Sequence, residues 1–248
     1  MSGVIANTSN AVARELCPGG ILRVGINLGN PVIATRQADG ALHGIGPALG
    51  RELGKRLGTQ PDFVTYDTAG KLAEAVRTGA WDVGFLAIDP ERATDLAFTD
   101  AYVLIEGTYM VRVGSPLQAV GDVDRTGLRV LVGDRTAYDL FLTRHLRHAQ
   151  IVRAPSSREA IERFLTEDHD AVAGVKQPLL AKAASVPGLR VIEGNFMVIR
   201  QAAAVPKQHV SAHAYVAHFI EDMKSSGFAA RALAASGVEG AVIAPAAG

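Results

Sequence analysis

The stretch Trp81-Asp82-Val83-Gly84-Phe85-Leu86-Ala87-Ile88-Asp89-Pro90-Glu91-Arg92 decides how the rest of the chain is read. Its apolar run has the length and character of a buried strand. The run ends in a Pro-Glu-Arg turn, and Phe98-Thr99-Asp100-Ala101-Tyr102 follows. A guanidinium just past the carboxyl end of such a strand faces the crevice where α/β sheets take their ligands. Its planar fork offers two hydrogen bonds that match a carboxylate, which points to a binder of small organic acids. The plainer alternative is a surface arginine paired with Glu91 or Asp95, an arrangement that is common and weak.

Upstream of this stretch the same kind of element recurs. Residues 21–26 form a short β-like run, and a helix opened by Gly44-Ile45-Gly46-Pro47 carries Leu49, Leu53 and Leu57 on one face until Gly58. Residues 61–66 read as a second strand, and Thr68 caps a helix that buries Leu72, Ala75 and Val76. Strand-helix-strand-helix-strand order predicts a mostly parallel sheet with helices on both faces.

Downstream, residues 103–113 are extended, and a second alternating unit starts at residues 128–132. Thr136 with Asp139 reads as a capping box for a helix to about His148, and Ser156 with Glu159 as another. Residues 170–175 are a strand, Lys176-Gln177-Pro178 starts a helix, and 196–205 is extended again. Two helices follow, at 211–226 and 227–236, and the small-residue tail 241–248 reads as loose.

Composition narrows the function. Lysine plus arginine equals aspartate plus glutamate at 25 each, with no basic run, which argues against a nucleic-acid partner. No segment approaches the roughly 20 apolar residues of a membrane helix, so no membrane insertion is expected. Cys17 is the single cysteine, so no internal disulfide forms. Residues 1–20 lack the basic start and apolar core of an export signal. The expected location is therefore the cytoplasm as the sequence stands, and the periplasm if the N-terminus is trimmed.

Taken together, Leu22-Arg23-Val24-Gly25-Ile26, residues 44–57, Thr78-Gly79-Ala80-Trp81-Asp82-Val83, Pro90-Glu91-Arg92-Ala93, residues 98–102, residues 136–142 and Ala204-Val205-Pro206-Lys207 form an ordered set. In that order and spacing the chain resembles the type II periplasmic solute-binding proteins, in particular the family serving polar amino-acid ABC transporters. The resemblance covers roughly residues 21–237. It implies an α/β, two-lobed fold of the periplasmic-binding-protein-like type II class. Each lobe is a mostly parallel sheet flanked by helices, and two extended crossings join the lobes. Lobe 1 would be 21–102 plus 201–248, lobe 2 would be 103–200, and 1–20 an N-terminal extension. Ligand would bind between the lobes, which close on it.

The resemblance places Arg92 where the family holds its ligand's carboxylate. It places Thr136 and Ala137 where a helix N-terminus in lobe 2 offers backbone N–H groups. Asn27, Asn30 and Thr68 stand where acidic and aromatic residues are common, Asp89 where a small hydroxylated residue is common. Asp89 has the alternative role of capping the Pro90 turn. Val175, with Lys176 next, stands where amino-acid binders carry an acid for the ligand's ammonium. Positive charge then has no acid beside it that the sequence can place, and an α-ammonium would be left unpaired. The expected ligand is a small organic acid without that group, such as a dicarboxylate or hydroxy acid.

The expected protein is a non-catalytic monomer without cofactor or metal. His209 and His213 have helix-face spacing for a metal but no third ligand nearby in sequence. An ABC transporter permease is the partner the resemblance implies. The alternatives are an amino-acid-binding transporter component and a cyclohexadienyl dehydratase-like enzyme. The enzyme would need a carboxylic acid of raised pKa, for which Asp89 and Asp134 are the candidates. The effector half of a regulator is a further option, although no helix-turn-helix precedes residue 21.

Overall fold

A computed structural model describes residues 10–246. It divides the chain into two units: unit 1 runs to Leu104 and resumes at Arg200, and unit 2 is Ile105–Ile199.

Unit 1 begins with α1 (Asn10–Leu16), which buries Val12 and Leu16. Glu15 accepts the Ala212 N–H at 2.7 Å, tying this helix to a later one. Within the expected extension, residues 10–16 are thus a packed helix, while the first nine residues lie outside the described ones. Next come β1 (Leu22–Asn27), the small hairpin β2 (Thr35–Arg36) and β3 (Leu42–His43), and α2 (Ile45–Leu57). β4 (Pro61–Tyr66), α3 (Ala69–Glu74) and β5 (Val83–Ala87) follow. β1 lies between β4 and β5, parallel to both, with Asn27 opposite Tyr66 and Ile26 opposite Phe85. Every residue of β5 is buried, as an uninterrupted apolar strand requires. Leu72, Val76, Trp81, Leu86 and Leu96 pack together beneath α3, and the Trp81 indole N–H donates to the Leu72 carbonyl at 2.9 Å.

β6 (Leu96–Arg112) carries the chain into unit 2. There β7 (Arg129–Gly133), α4 (Ala137–His145), β8 (Gln150–Ala154), α5 (Ser157–Thr166), β9 (Ala171–Val175), α6 (Lys176–Ser185) and β10 (Leu189–Val191) alternate. β7 is parallel to β8 and β9, whereas β6 is antiparallel to β9 and β10. Both capping signals hold at their backbone ends. Thr136 Oγ1 accepts the Asp139 N–H at 3.1 Å and Ser156 Oγ accepts the Glu159 N–H at 3.1 Å. Phe164, Leu131, Val172 and Leu179 share the core of this unit. Arg112 seals it, with its guanidinium 4.7 Å from the Phe164 ring and donating to the carbonyls of Phe164, Glu167 and His169.

β11 (Met197–Pro206) returns the chain to unit 1, antiparallel to β5, and α7 (Val210–Ser225), α8 (Phe228–Ala235) and β12 (Val242–Ile243) close it.

Two expectations are corrected. α4 stops at His145 instead of reaching His148, because the Asp124 carboxylate accepts the N–H groups of Arg147, His148 and Ala149 at 2.8–3.1 Å and holds them as a turn. The tail is anchored rather than loose through residue 246. β12 pairs with β6 at Val103 and Leu104, and the buried Lys224 ammonium donates to the Pro245 carbonyl at 2.9 Å. Residues 247–248 of that tail lie outside the described residues.

Candidate functional site

The carboxyl ends of the parallel strands in unit 1 gather five of the residues singled out from sequence. Asn27 ends β1, Asn30 follows it, Thr68 follows β4, and Asp89 and Arg92 follow β5. Since β4, β1 and β5 are adjacent and parallel, these residues lie along one edge.

Much of this edge is spent on its own shape. Asn27 Oδ1 accepts the Gly29 N–H at 2.9 Å and Asn30 Oδ1 the Val32 N–H at 3.2 Å. Each asparagine therefore commits its acceptor to a turn, and its NH2 donors are what it can offer a solute. Thr68 caps α3, its Oγ1 accepting the Lys71 N–H at 3.3 Å. Asp89, 3% exposed, accepts the Glu91 N–H at 2.9 Å, which is the turn-capping role.

Arg92 is not on the surface: it is 6% exposed. One η-nitrogen donates to the Ala87 carbonyl at the end of β5, at 3.0 Å. Asp95, the partner considered from sequence, instead pairs with Arg77 at 2.8 Å. Burial pushes the Arg92 pKa down to about 10, outweighing the opposing pull of the Asp89 and Glu91 carboxylates. The group remains a cation at neutral pH, held where its charge is undersolvated.

In unit 2 the corresponding edge is formed by the ends of β7 and β9, which are also adjacent and parallel. Past β7 comes the turn Gly133-Asp134-Arg135-Thr136. Among the described residues Arg135 is the non-glycine residue with positive φ, at 53°. Its N–H donates to the Asp139 carboxylate at 2.8 Å, and the same carboxylate pairs with Arg153 at 3.0 Å. Gly133 must be glycine for space: a Cβ there would lie 2.6 Å from the Ser157 backbone nitrogen. The Thr136 hydroxyl donates to the Gly133 carbonyl at 2.9 Å while accepting from Asp139. The first N–H groups of a helix have no partner within the helix. With that of Asp139 capped, those of Ala137 and Tyr138 are the donors α4 can present to an anion.

Lys176 is the first residue of α6, past the end of β9. Here the reading from sequence is corrected: the lysine has an acid beside it. Its ammonium forms an ion pair with Glu106 of β6, and the other Glu106 oxygen accepts from the Asn195 amide at 2.9 Å. The hydrogen bond from Lys176 holds the Glu106 pKa below the usual carboxylate range. Glu106 and Asn195 were not found from sequence. The signal available was a single charge inside the apolar run Val103-Leu104-Ile105-Glu106, whose partner lies 70 residues away.

His213 Nε2 lies 2.8 Å from the Phe98 carbonyl oxygen. Among the described residues no group of three metal-ligating side chains gathers, and no helix is long and apolar enough to cross a membrane.

The family model of the bacterial extracellular solute-binding proteins, family 3, matches residues 22–235. No curated protein sequence matches the chain. Among solved structures, the L-cysteine solute receptor of Neisseria gonorrhoeae is similar at 23% identity with a TM-score of 0.79, covering 92% of this chain and 93% of that one. A mutant of ArgBP from T. maritima is similar at 23% identity and TM-score 0.74, covering 86% and 93%. The ancestral amino acid-binding protein AncCDT-1, described as a precursor of cyclohexadienyl dehydratase, is similar at 22% and 0.74, covering 87% and 94%. Likenesses at this identity establish a shared fold.

Proposed function

The chain belongs to the bacterial extracellular solute-binding proteins, family 3, and from that premise we propose that it binds a small organic acid without transforming it. In this reading Arg92 takes the solute's carboxylate, the helix N-terminus at Thr136–Ala137 supplies a second anion contact through the N–H groups of Ala137 and Tyr138, and the solute lacks an α-ammonium. Asn27, Asn30, Thr68, Asp89 and Lys176 line its surroundings. The observation that carries the reading is Arg92 itself, a 6% exposed cation past the end of β5 whose burial outweighs the nearby carboxylates. Such a group gains from a bound carboxylate more than a solvated arginine would.

The exclusion of an ammonium rests on Val175 and Lys176 at the end of β9, and on Glu106. Both Glu106 oxygens are engaged, one by Lys176 and one by Asn195. A second reading, an α-amino acid as ligand, is favoured by the presence of Glu106 on that edge and by the names of the similar structures. A dehydratase reading is disfavoured by pKa. Its general acid must be raised, whereas Glu106 is lowered and Asp89 is committed to its turn.

In this reading the partner is the membrane component of an ABC transporter, and the working protein would lie outside the cytoplasmic membrane. A sensor or carrier role would keep it inside, and fractionation of cells separates the two.

Thermal unfolding against matched solute pairs tests the reading: L-lactate with L-alanine, succinate with L-aspartate, glutarate with L-glutamate. A solute at about 100 times its Kd adds about 2.7 kcal/mol, a shift of a few degrees. Shifts with the acids and none with their amino counterparts are expected. Tight binding of an ordinary α-amino acid would replace this reading by the second.

A further inference from the structure

Asn195 and Phe196 precede β11 and run beside β6. The Phe196 N–H donates to the Gly107 carbonyl at 2.9 Å. Its ring lies 4.6 Å from that of Tyr109 and 6.0 Å from that of Phe141, centroid to centroid. The ring also occupies the space over Gly107, where a Cβ would come within 3.1 Å of it. Aromatic packing therefore fixes the backbone at Phe196, and with it Asn195, one residue earlier. Asn195 in turn holds one oxygen of Glu106. Since Gly107 is paired with Val175, Glu106 of β6 and Lys176, the residue just past β9, stand at adjoining positions. Glu106 is thus the anchored partner, and the lysine, on four flexible methylenes, is the one free to reorient.

The placement of Lys176 is costly for α6. A cation at a helix N-terminus opposes the helix's own partial positive charge. Glu106 offsets this, and both side chains keep about a third of their surface exposed, at 32% and 34%. The result is a carboxylate on the ligand-side edge of unit 2 whose charge is cancelled from within the chain.

We propose that Lys176 masks Glu106, and that this ion pair is the specificity determinant that makes the protein reject solutes bearing an α-ammonium. Glu106 is the latent ammonium acceptor, and Asn195 and Phe196 are its positioning residues. Removing the lysine charge uncovers the acid and converts the preference to α-amino acids. The inference rests on the proposed binding of a carboxylate solute, and its test is arranged so that the two fail separately.

Binding of L-lactate, L-alanine, glutarate and L-glutamate is measured by calorimetry for the full chain, Lys176→Met, Lys176→Gln and the double variant Lys176→Met/Glu106→Gln. Two lysine variants are used so that one folding defect does not decide the matter. Expected is a swing of about tenfold or more toward the amino acid within each pair in both single variants, the worth of a hydrogen bond to a charged group. The swing should vanish in the double variant. An unchanged preference, or a swing that survives loss of the Glu106 charge, overturns the inference, as does tight α-amino-acid binding by the unaltered chain. Arg92→Met reports on the underlying reading alone: loss of L-lactate and glutarate binding supports it, and retention overturns it whatever Lys176 does.

Discussion

The two units handle positive charge in opposite ways. In unit 1, Arg92 is buried, with one nitrogen on a main-chain carbonyl, and its pKa is driven down by desolvation. In unit 2, Lys176 is a third exposed and neutralised by a carboxylate that is itself fixed by an amide. A buried guanidinium is costly, and the fold around it bears that cost, here with the Asp89 and Glu91 carboxylates nearby. A pair a third exposed costs the fold little and can be remade. In the proposed reading the first arrangement serves an obligatory contact, and the second serves discrimination between solutes.

The sharpest way to break the comparison is Arg92→Met. Solute affinity should fall by about 2–5 kcal/mol, roughly thirtyfold to several thousandfold in Kd by calorimetry. A stability loss larger than the binding loss would make Arg92 a structural residue.

The turn after β7 contrasts with both cations, since there the fold is what suffers. Gly133→Ala should destabilise by about 1–3 kcal/mol in denaturant unfolding, because a Cβ 2.6 Å from the Ser157 nitrogen forces backbone movement. A neutral result would mean that the β7–α5 approach is softer than its geometry. Thr136→Ala should cost about 1 kcal/mol through the lost cap, with Thr136→Ser close to neutral.

The smallest effect is the pH response of Glu106. Its folded pKa lies below the unfolded carboxylate value of about 4.3. The pair's stabilisation is therefore present above about pH 4.3 and is lost as pH falls through the folded value. Glu106→Gln should flatten that part of the stability profile, by under about 1 kcal/mol for a pair this exposed. A steeper acid limb in the variant would contradict the assignment.

Particular residues show why some of this was legible and some was not. Thr68, Thr136 and Ser156 were readable as caps because a cap and its amide lie three residues apart, within reach of local pattern. β5 announced itself by length and apolarity, and β4 (Pro61–Tyr66) by its short run of β-branched and aromatic residues. α1 was missed because its helix is held by Glu15 reaching Ala212, a contact 197 residues distant. The tail was misread for the same reason, since its small residues are held by Lys224 and by β6. Arg92 was placed correctly past its strand, but only the packed unit reveals that it is buried and not a surface ion pair.

Sequence alone determined the α/β class, the order of the main strands and helices between residues 21 and 236, and the likeness to a solute-binding family, because periodicity, caps and turns are set by neighbours along the chain. Tertiary structure decided what each charge is worth. Glu106 meets Lys176, Asp124 ends a helix, and Arg92 loses its water only when segments far apart in the chain are packed together, and desolvation and pairing belong to that packing.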